Sequence, residues 1–388
     1  MITSAHKSFR ISPLALSTSS VTECAMPETP KTLFAQGLAL LKAQRSFEAV
    51  AVFDSLRTAA PDYPGLNEAY VKALRRDARH EEGLAFSESA TGDPVQLGFE
   101  RAMCLLALGR AETALCVFDG VLALNPNMAV AWYQSHGPAL DLNGQDDAMR
   151  RIERALACQG PVNGNYRALL AAYHFLRGDE GQARKIARKA RHRVLIDGIA
   201  ALKPHFAPNL RLFGVSAHLH SHALDRAELP GLVLEFGVRR GTSLRLIAHR
   251  AKQEIHGFDS FEGLPESWGS IDAGQLTTGS ALPDVPSNAH LHPGWFEDTL
   301  PFFLKTHDGP VRFVNIDSDL YVSARTVLFA LAPRLVPGSI LVFDELIGNP
   351  TWHDDEFKAL SEFAQAIGAR YEVFALAPAT KQAALRIL

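Results

Sequence analysis

Apolar positions along this chain follow two different rhythms. From residue 31 to about 193 they recur at helical spacing in Ala- and Leu-rich text, with few strand-like runs. After Pro230 they gather into short runs that end in glycine or acids and alternate with helical stretches, at 232–236, 255–258, 311–316 and 340–343. That alternation predicts βαβ units and a mostly parallel, doubly wound sheet. Two last runs, 371–376 and 383–388, lie close enough to form an antiparallel pair, expected at the sheet edge. The division that follows is a tail over 1–29, helical repeats over 30–193, a linker over 194–229 and an α/β domain over 230–388.

Small residues recur through the helical half at Ala49, Ala85, Ala114, Ala148 and Ala183, with bulky Phe53, Phe118 and Ile152 four positions after three of them. A small side chain lets two helices cross closely, and a large one fills the groove beside it. Pro61 and Pro126 close two of the units. The pattern resembles the tetratricopeptide repeat, a unit of about 34 residues folded as two antiparallel helices. A stack of such units implies a concave face for a protein partner or a glycan. Pro204, Pro208 and the alternate His218, His220 and His222 interrupt the pattern and predict a solvated linker or rim.

Composition narrows the class. Apolar residues make up 47%, charged residues 21%, and the net charge is −3, which describes a globular chain with no electrostatic case for nucleic acid. No apolar run is long enough to span a bilayer, so no membrane is expected as a partner. Cys24, Cys104, Cys116 and Cys158 form no C-x-x-C pair, and three of them fall in helical text, predicting buried thiols in a reducing compartment. The Ser- and Thr-rich first 28 residues lack the apolar core of a secretory signal, so a disordered tail and a cytoplasmic protein are expected.

The candidate chemistry sits where the second-half strands end, because ligands of doubly wound sheets bind outside the carboxyl ends of the strands. The first strand ends in Glu235-Phe236-Gly237 and runs on to Gly241-Thr242-Ser243, an E-x-G-x-x-x-G turn before a helix. Glycines there let a ligand approach the backbone, and the helix start offers free N–H groups. A nicotinamide-binding strand normally carries G-x-G-x-x-G, absent here. Asp259 ends the next strand, placed to chelate ribose hydroxyls. Asp317 with Asp319, and Asp344 with Glu345, end the two strands after it. So many carboxylates in one pocket imply a cation, a shared proton or cationic substrate groups.

Together these residues resemble class I S-adenosylmethionine-dependent methyltransferases, and among them the macrocin O-methyltransferase family, which methylates sugar hydroxyls of natural products and is associated with magnesium. The marks are GFDSFEGLP at 257–265, GWFEDTLP at 294–301, DSDLY at 317–321, and Asp344-Glu345. The resemblance implies that Glu235, Phe236, Gly237, Gly241, Thr242 and Ser243 meet the methionine end of S-adenosyl-L-methionine, that Asp259 and Ser260 hold its ribose, and that Phe261 lies against adenine. It implies Mg²⁺ on Asp317, Asp344 and Glu345, with Asp319 as general base. The expected fold is therefore a tetratricopeptide-like solenoid followed by a Rossmann-like sheet, and the expected activity is Mg²⁺-assisted O-methylation of a sugar or glycosylated product. Ser318 replaces the family's usual Gly, and Val322-Ser323-Ala324 replaces Glu-Ser-Thr. Two other readings stay open: a metal-independent methyltransferase acting on another small molecule or a protein, and a non-catalytic repeat scaffold. The segment 266–293 has no clear period and is expected to be a lid.

Overall fold

The structure is a computed structural model, and it describes residues 29–160 and 163–388. The tail expected over 1–29 and Cys24 thus fall almost wholly outside the described residues. Five helical hairpins come first: α1 (Pro30–Lys42) with α2 (Ser46–Ala59), α3 (Leu66–Arg76) with α4 (His80–Ser89), α5 (Pro94–Ala107) with α6 (Ala111–Leu124), α7 (Ala129–Asn143) with α8 (Gln145–Ala157), and α9 (Gly164–Leu176) with α10 (Glu180–Ile186). This is the tetratricopeptide-like arrangement. Ala49, Ala114, Ala148 and Ala183 are each buried at the fourth residue of the second helix of a hairpin. In the second hairpin that place belongs to Gly83, packed against Cys104, while Ala85 faces solvent. Glycine is another way to allow close crossing, which is why the alanine spacing slipped there.

The expected linker over 194–229 is a correction. Its residues form the end of α11 (Ala190–Leu202), strand β1 (Phe206–Leu212) and α12 (Ser216–Asp225). The rest of the α/β half comprises β2 (Leu232–Phe236), α13 (Thr242–Ala251), β3 (Ile255–Asp259), β4 (Ala289–Pro293), α14 (Phe296–Thr306), β5 (Val311–Ile316), α15 (Tyr321–Leu331), β6 (Ile340–Phe343), α16 (Glu356–Ile367), β7 (Tyr371–Ala377) and β8 (Gln382–Ile387). They form one eight-stranded sheet in the order β1-β7-β8-β6-β5-β2-β3-β4. Only β8 runs against its neighbours. The β7–β8 pair is antiparallel as expected but lies inside the sheet, because β1 adds on in parallel beyond β7. The strand β4, at the far edge, was read from sequence as part of the 266–293 lid; its alternation is too short to stand out.

The two halves share a core. One buried cluster joins Ile152, Tyr173, Leu195 and Ile199 of the helices to Phe236, Val314, Leu341 and Ile347 of the sheet half. The backbones touch where a Cβ on Gly214 would lie 2.1 Å from the carbonyl oxygen of Gly137. Asp141 accepts hydrogen bonds from the amides of Gly214 (2.7 Å) and Val215 (3.2 Å) and pairs with His218 at 2.7 Å, so it caps α12 from α7. The three histidines therefore belong to packed structure rather than a linker: His218 is half-buried against Asp141, His220 is buried, and His222 packs against Phe213 and Phe374. Of the described cysteines, Cys104 is buried and Cys116 exposed, because Cys116 falls on the outer face of α6. No helix among the described residues is long and apolar enough to cross a membrane.

A shared core predicts that the sheet half does not stand alone. A chain begun at Ala223 loses β1 and most of α12 and should be insoluble or unfolded by circular dichroism. In the full chain, Gly214→Val should cost at least about 2 kcal/mol in urea unfolding, since the new side chain meets backbone that cannot yield.

Candidate functional site

The strand ends are in register. Phe236 pairs with Phe258 on one side and Ile316 on the other, and Ile316 pairs with Phe343. The residues that follow, Gly237, Asp259, Asp317 and Asp344, consequently emerge at one level. A cavity of about 270 Å³ opens there, lined by Gly237, Arg239, Asp259 and Ser260 on one side, by Trp295, Phe296 and Glu297 on another, and by Asp317, Ser318 and Asp319 at the floor.

Gly237, in the left-handed region at φ +93°, is fixed by contact rather than by ligand space: a Cβ would lie 1.8 Å from the Asp317 carbonyl oxygen. Asp259 accepts from the amides of Val238 (2.8 Å) and Arg239 (2.7 Å) on Oδ2 and of Phe261 (2.6 Å) on Oδ1, which shapes the glycine turn and leaves a lone pair on Oδ1 for a hydroxyl. Glu235 is buried beneath the floor, where it accepts from Asn315 (2.9 Å), and Asn315 in turn accepts from His220 Nε2–H (3.0 Å). Burial pushes the Glu235 carboxyl up to about 7.

Only part of the expected cofactor set borders this cavity. Glu235, Phe236, Gly241, Thr242, Ser243 and Phe261 do not line the cavity. Phe236 stacks on Phe258 at 4.8 Å, and Phe261 belongs to the core on the α13 face with Val238 and Leu244, because the left-handed backbone at Phe261 (φ +60°) turns its ring inward. Thr242 keeps a buried hydroxyl with no partner among the described residues, the feature expected of a helix start awaiting a polar ligand group.

The acids cluster as expected, but not as a metal set. Asp317 is half-buried at the cavity floor and held well above the carboxylate range by burial and by Asp344, Asp319 and Glu356. Asp319, left-handed at φ +61°, is pushed up to about 7 by burial and then by Glu345 and Asp344, with Lys381 and Arg239 opposing. Asp344 accepts from Gln382, and Glu345 from Asn349 and from Lys381, which it also pairs with. Neither lines the cavity. No group of three or more His, Cys, Asp or Glu side chains among the described residues is arranged to hold an ion. Asp317, Asp344 and Glu345 thus do not fit the expected Mg²⁺ site: at the β7–β8 turn Gln382 engages Asp344 and Lys381 engages Glu345.

Several residues were not singled out from sequence. Glu356, fully buried at the start of α16, faces the Ser318 amide at 3.3 Å and the Glu345 amide at 3.4 Å, tying two strand ends together. Nothing in its local sequence marks it. Arg239 lines the cavity and reaches back into the repeats: it lies 3.7 Å from Asp77, and Arg240 donates to the same carboxylate at 2.8 Å. Asp77 is wholly buried at the end of α3, and Phe47 of α2 lies under Arg240. The helical half therefore holds the loop that borders the cavity.

Residues 234–346 match the family model described as a methyltransferase domain. A curated relative from Streptomyces olivaceus, an 8-demethyl-8-(2,3-dimethoxy-alpha-L-rhamnosyl)-tetracenomycin-C 4′-O-methyltransferase, is 33% identical over a match covering 30% of this chain and 53% of that protein. The chain thus spans about half the length of the curated relative it matches. Among solved structures, a TDP-rhamnose 3′-O-methyltransferase of calicheamicin biosynthesis is similar at 26% identity and TM-score 0.33, covering 44% of this chain and 77% of that one. A tetratricopeptide-repeat protein of Thermus thermophilus is similar at 17% identity and TM-score 0.38, covering 45% of this chain and 96% of that one.

Two measurements follow from the site's charges. Asp77→Ala leaves two buried guanidiniums without their carboxylate and should destabilise the full chain by about 3 kcal/mol in urea unfolding, with Asp77→Asn milder. Glu235 and Asp319 bind their protons more tightly folded than unfolded, so their contribution is present at low pH and lost as pH rises through about 7. Thermal stability should accordingly fall between about pH 4 and 7 and level off above, by up to about 1.4 kcal/mol per pH unit for each group. Asp319→Asn should flatten that fall; an unchanged slope removes Asp319 from the account.

Proposed function

We propose that this chain transfers a methyl group from S-adenosylmethionine to a hydroxyl of a sugar or glycosylated small molecule. The observation that carries the reading is one cavity bordered by the Gly237 turn and Asp259 on one wall and by Asp319, a carboxyl pushed up to about 7, on its floor. The donor set fits the cofactor: Asp259 and Ser260 for its ribose, the turn at Gly237 and the buried Thr242 hydroxyl for its methionine end. When bound, the cofactor supplies an electrophilic methyl that needs alignment more than activation.

Asp319 accepts the acceptor's proton, and a base near 7 is half ionised at neutral pH and strong enough to act there. Trp295, Phe296 and Val322 line the same cavity and exclude water from the reacting atoms. The segment 264–276 contributes Leu264, Pro265, Glu266 and Leu276 to the wall and serves as the lid. The rhamnoside-modifying activity named for the curated relative supports a glycosylated acceptor. The repeats offer a concave face for a partner that presents this acceptor. A Mg²⁺ requirement is not part of the reading, since the expected ligands are already engaged.

Calorimetry with S-adenosylhomocysteine and transfer of labelled methyl to rhamnosylated acceptors test the proposal. Asp319→Asn should keep S-adenosylhomocysteine affinity and lower kcat by roughly 10²- to 10⁴-fold. Wild-type kcat should rise with pH through about 7, since the ionised carboxylate is the active form, and should survive EDTA. Absence of S-adenosylhomocysteine binding overturns the proposal, and loss of activity in EDTA restores the metal.

A further inference from the structure

A second cavity, of about 620 Å³, lies away from the first at the end of the repeats, where α9, α10 and α11 meet. Arg167, Lys185, Arg188, Lys189, Arg191 and His192 line it, and no acid does. Within 184–193 stand six of the chain's 39 lysines and arginines, in a protein of net charge −3. Arg184 pairs with Glu180, but none of the five cations lining the cavity has a carboxylate within 4 Å among the described residues. They repel one another, and their field also reaches His192, which Arg191, Lys189 and Arg167 hold below its ordinary value after burial. A protein folds around such a concentration of like charge more easily when something anionic relieves it.

The backbone is shaped for this cavity as well. The helix α10 stops after seven residues where the other second helices run for ten to fourteen, so residues 187–189 leave the helix and turn toward the cavity wall. The 13-residue α11 then begins beside them with no side-chain cap and no acid in its first turn, presenting free N–H groups. His192 is 95% buried by its 5% exposure. Its Nε2 accepts from Arg191 Nε at 3.4 Å, which puts the ring proton on Nδ1. That Nδ1–H is buried with no partner among the described residues. A buried donor without an acceptor is a liability unless a ligand supplies one.

We propose that this cavity binds a small molecule bearing two or more phosphate groups. Arginine forks match phosphate oxygens two at a time, lysines add point charge, and a helix start adds N–H donors. A concave space of this size suits a small ligand, whereas a polymer or a bilayer calls for an extended basic face.

The probe is inorganic pyrophosphate, titrated calorimetrically into the full chain at low ionic strength. One pyrophosphate per chain is expected, bound more tightly than orthophosphate, weakening steeply with salt and unaffected by saturating S-adenosylhomocysteine. The double variant Arg188→Glu, Lys189→Glu changes exposed residues outside any helix and should weaken pyrophosphate at least tenfold while leaving S-adenosylhomocysteine affinity intact. If that variant misfolds by circular dichroism, Arg167→Ala with Lys185→Ala serves instead, with the same expectation. No pyrophosphate binding, or binding that both variants leave unchanged, overturns the proposal. So does cosedimentation with phosphatidylglycerol vesicles in the absence of any pyrophosphate binding, which would make the patch a membrane contact.

Discussion

Buried carboxylates that cannot all ionise together impose the constraint around which this molecule is arranged. In-register strands deliver Asp317 and Asp344 to one level, with Glu235 buried beneath it, and Asp319, Glu345 and Glu356 crowd in beside them. Each raises the others' proton affinity, and burial raises all of them. Positive charge is supplied from two directions. Lys381 comes from the turn between β7 and β8, in the hairpin that lies beside β6. Arg239 comes from the glycine turn, where it faces Asp317 and Asp259 and is itself steadied by Asp77.

That last pairing changes what the helical repeats are for. A half-buried arginine is costly to hold, and burial lowers its own proton affinity. Asp77, buried at the end of α3, meets this cost for Arg239 and Arg240 together, and the Arg76 carbonyl accepts from Arg239 at 3.3 Å. Phe47 presses on the loop at Gly279 and lies beneath Arg240. The repeats are thus part of the wall behind the cavity rather than a separate module on a tether, in keeping with the core that crosses between the halves.

How much of this the sequence carried depends on range. Strand runs, the turn at Gly237 and the acids at strand ends were legible because each is a local pattern with a local cause. The strand β1 was not, since Phe206–Leu212 carries two prolines' neighbourhood and a mixed polar face, and it becomes a strand only by pairing with β7, more than 150 residues later. The same holds for the histidines of α12: alternate spacing says nothing of Asp141 or Asn315, which arrive from distant elements. Glu356 and Lys381 were invisible for that reason too. The assignment of Asp344 and Glu345 as metal ligands rested on their type and on resemblance, and it failed against neighbours that only the tertiary fold supplies.

The position of Asp319 shows how stability and chemistry oppose each other here. Its backbone is left-handed, a conformation that costs a non-glycine residue on the order of 1 kcal/mol, and its carboxyl is crowded by Glu345 and Asp344. Both features weaken the fold. Glycine at 319 would relax the backbone and asparagine would remove the charge, yet either removes the carboxyl proposed as the base. Ser318 and Leu320 hold the strained turn from both sides, through the facing Glu356 and a 2.6 Å bond from the Leu320 amide to the Ser318 carbonyl. Serine at 318 therefore has a structural reason in this chain: its amide and hydroxyl both face Glu356, so the acid that crowds the site also pins the loop that carries Asp319.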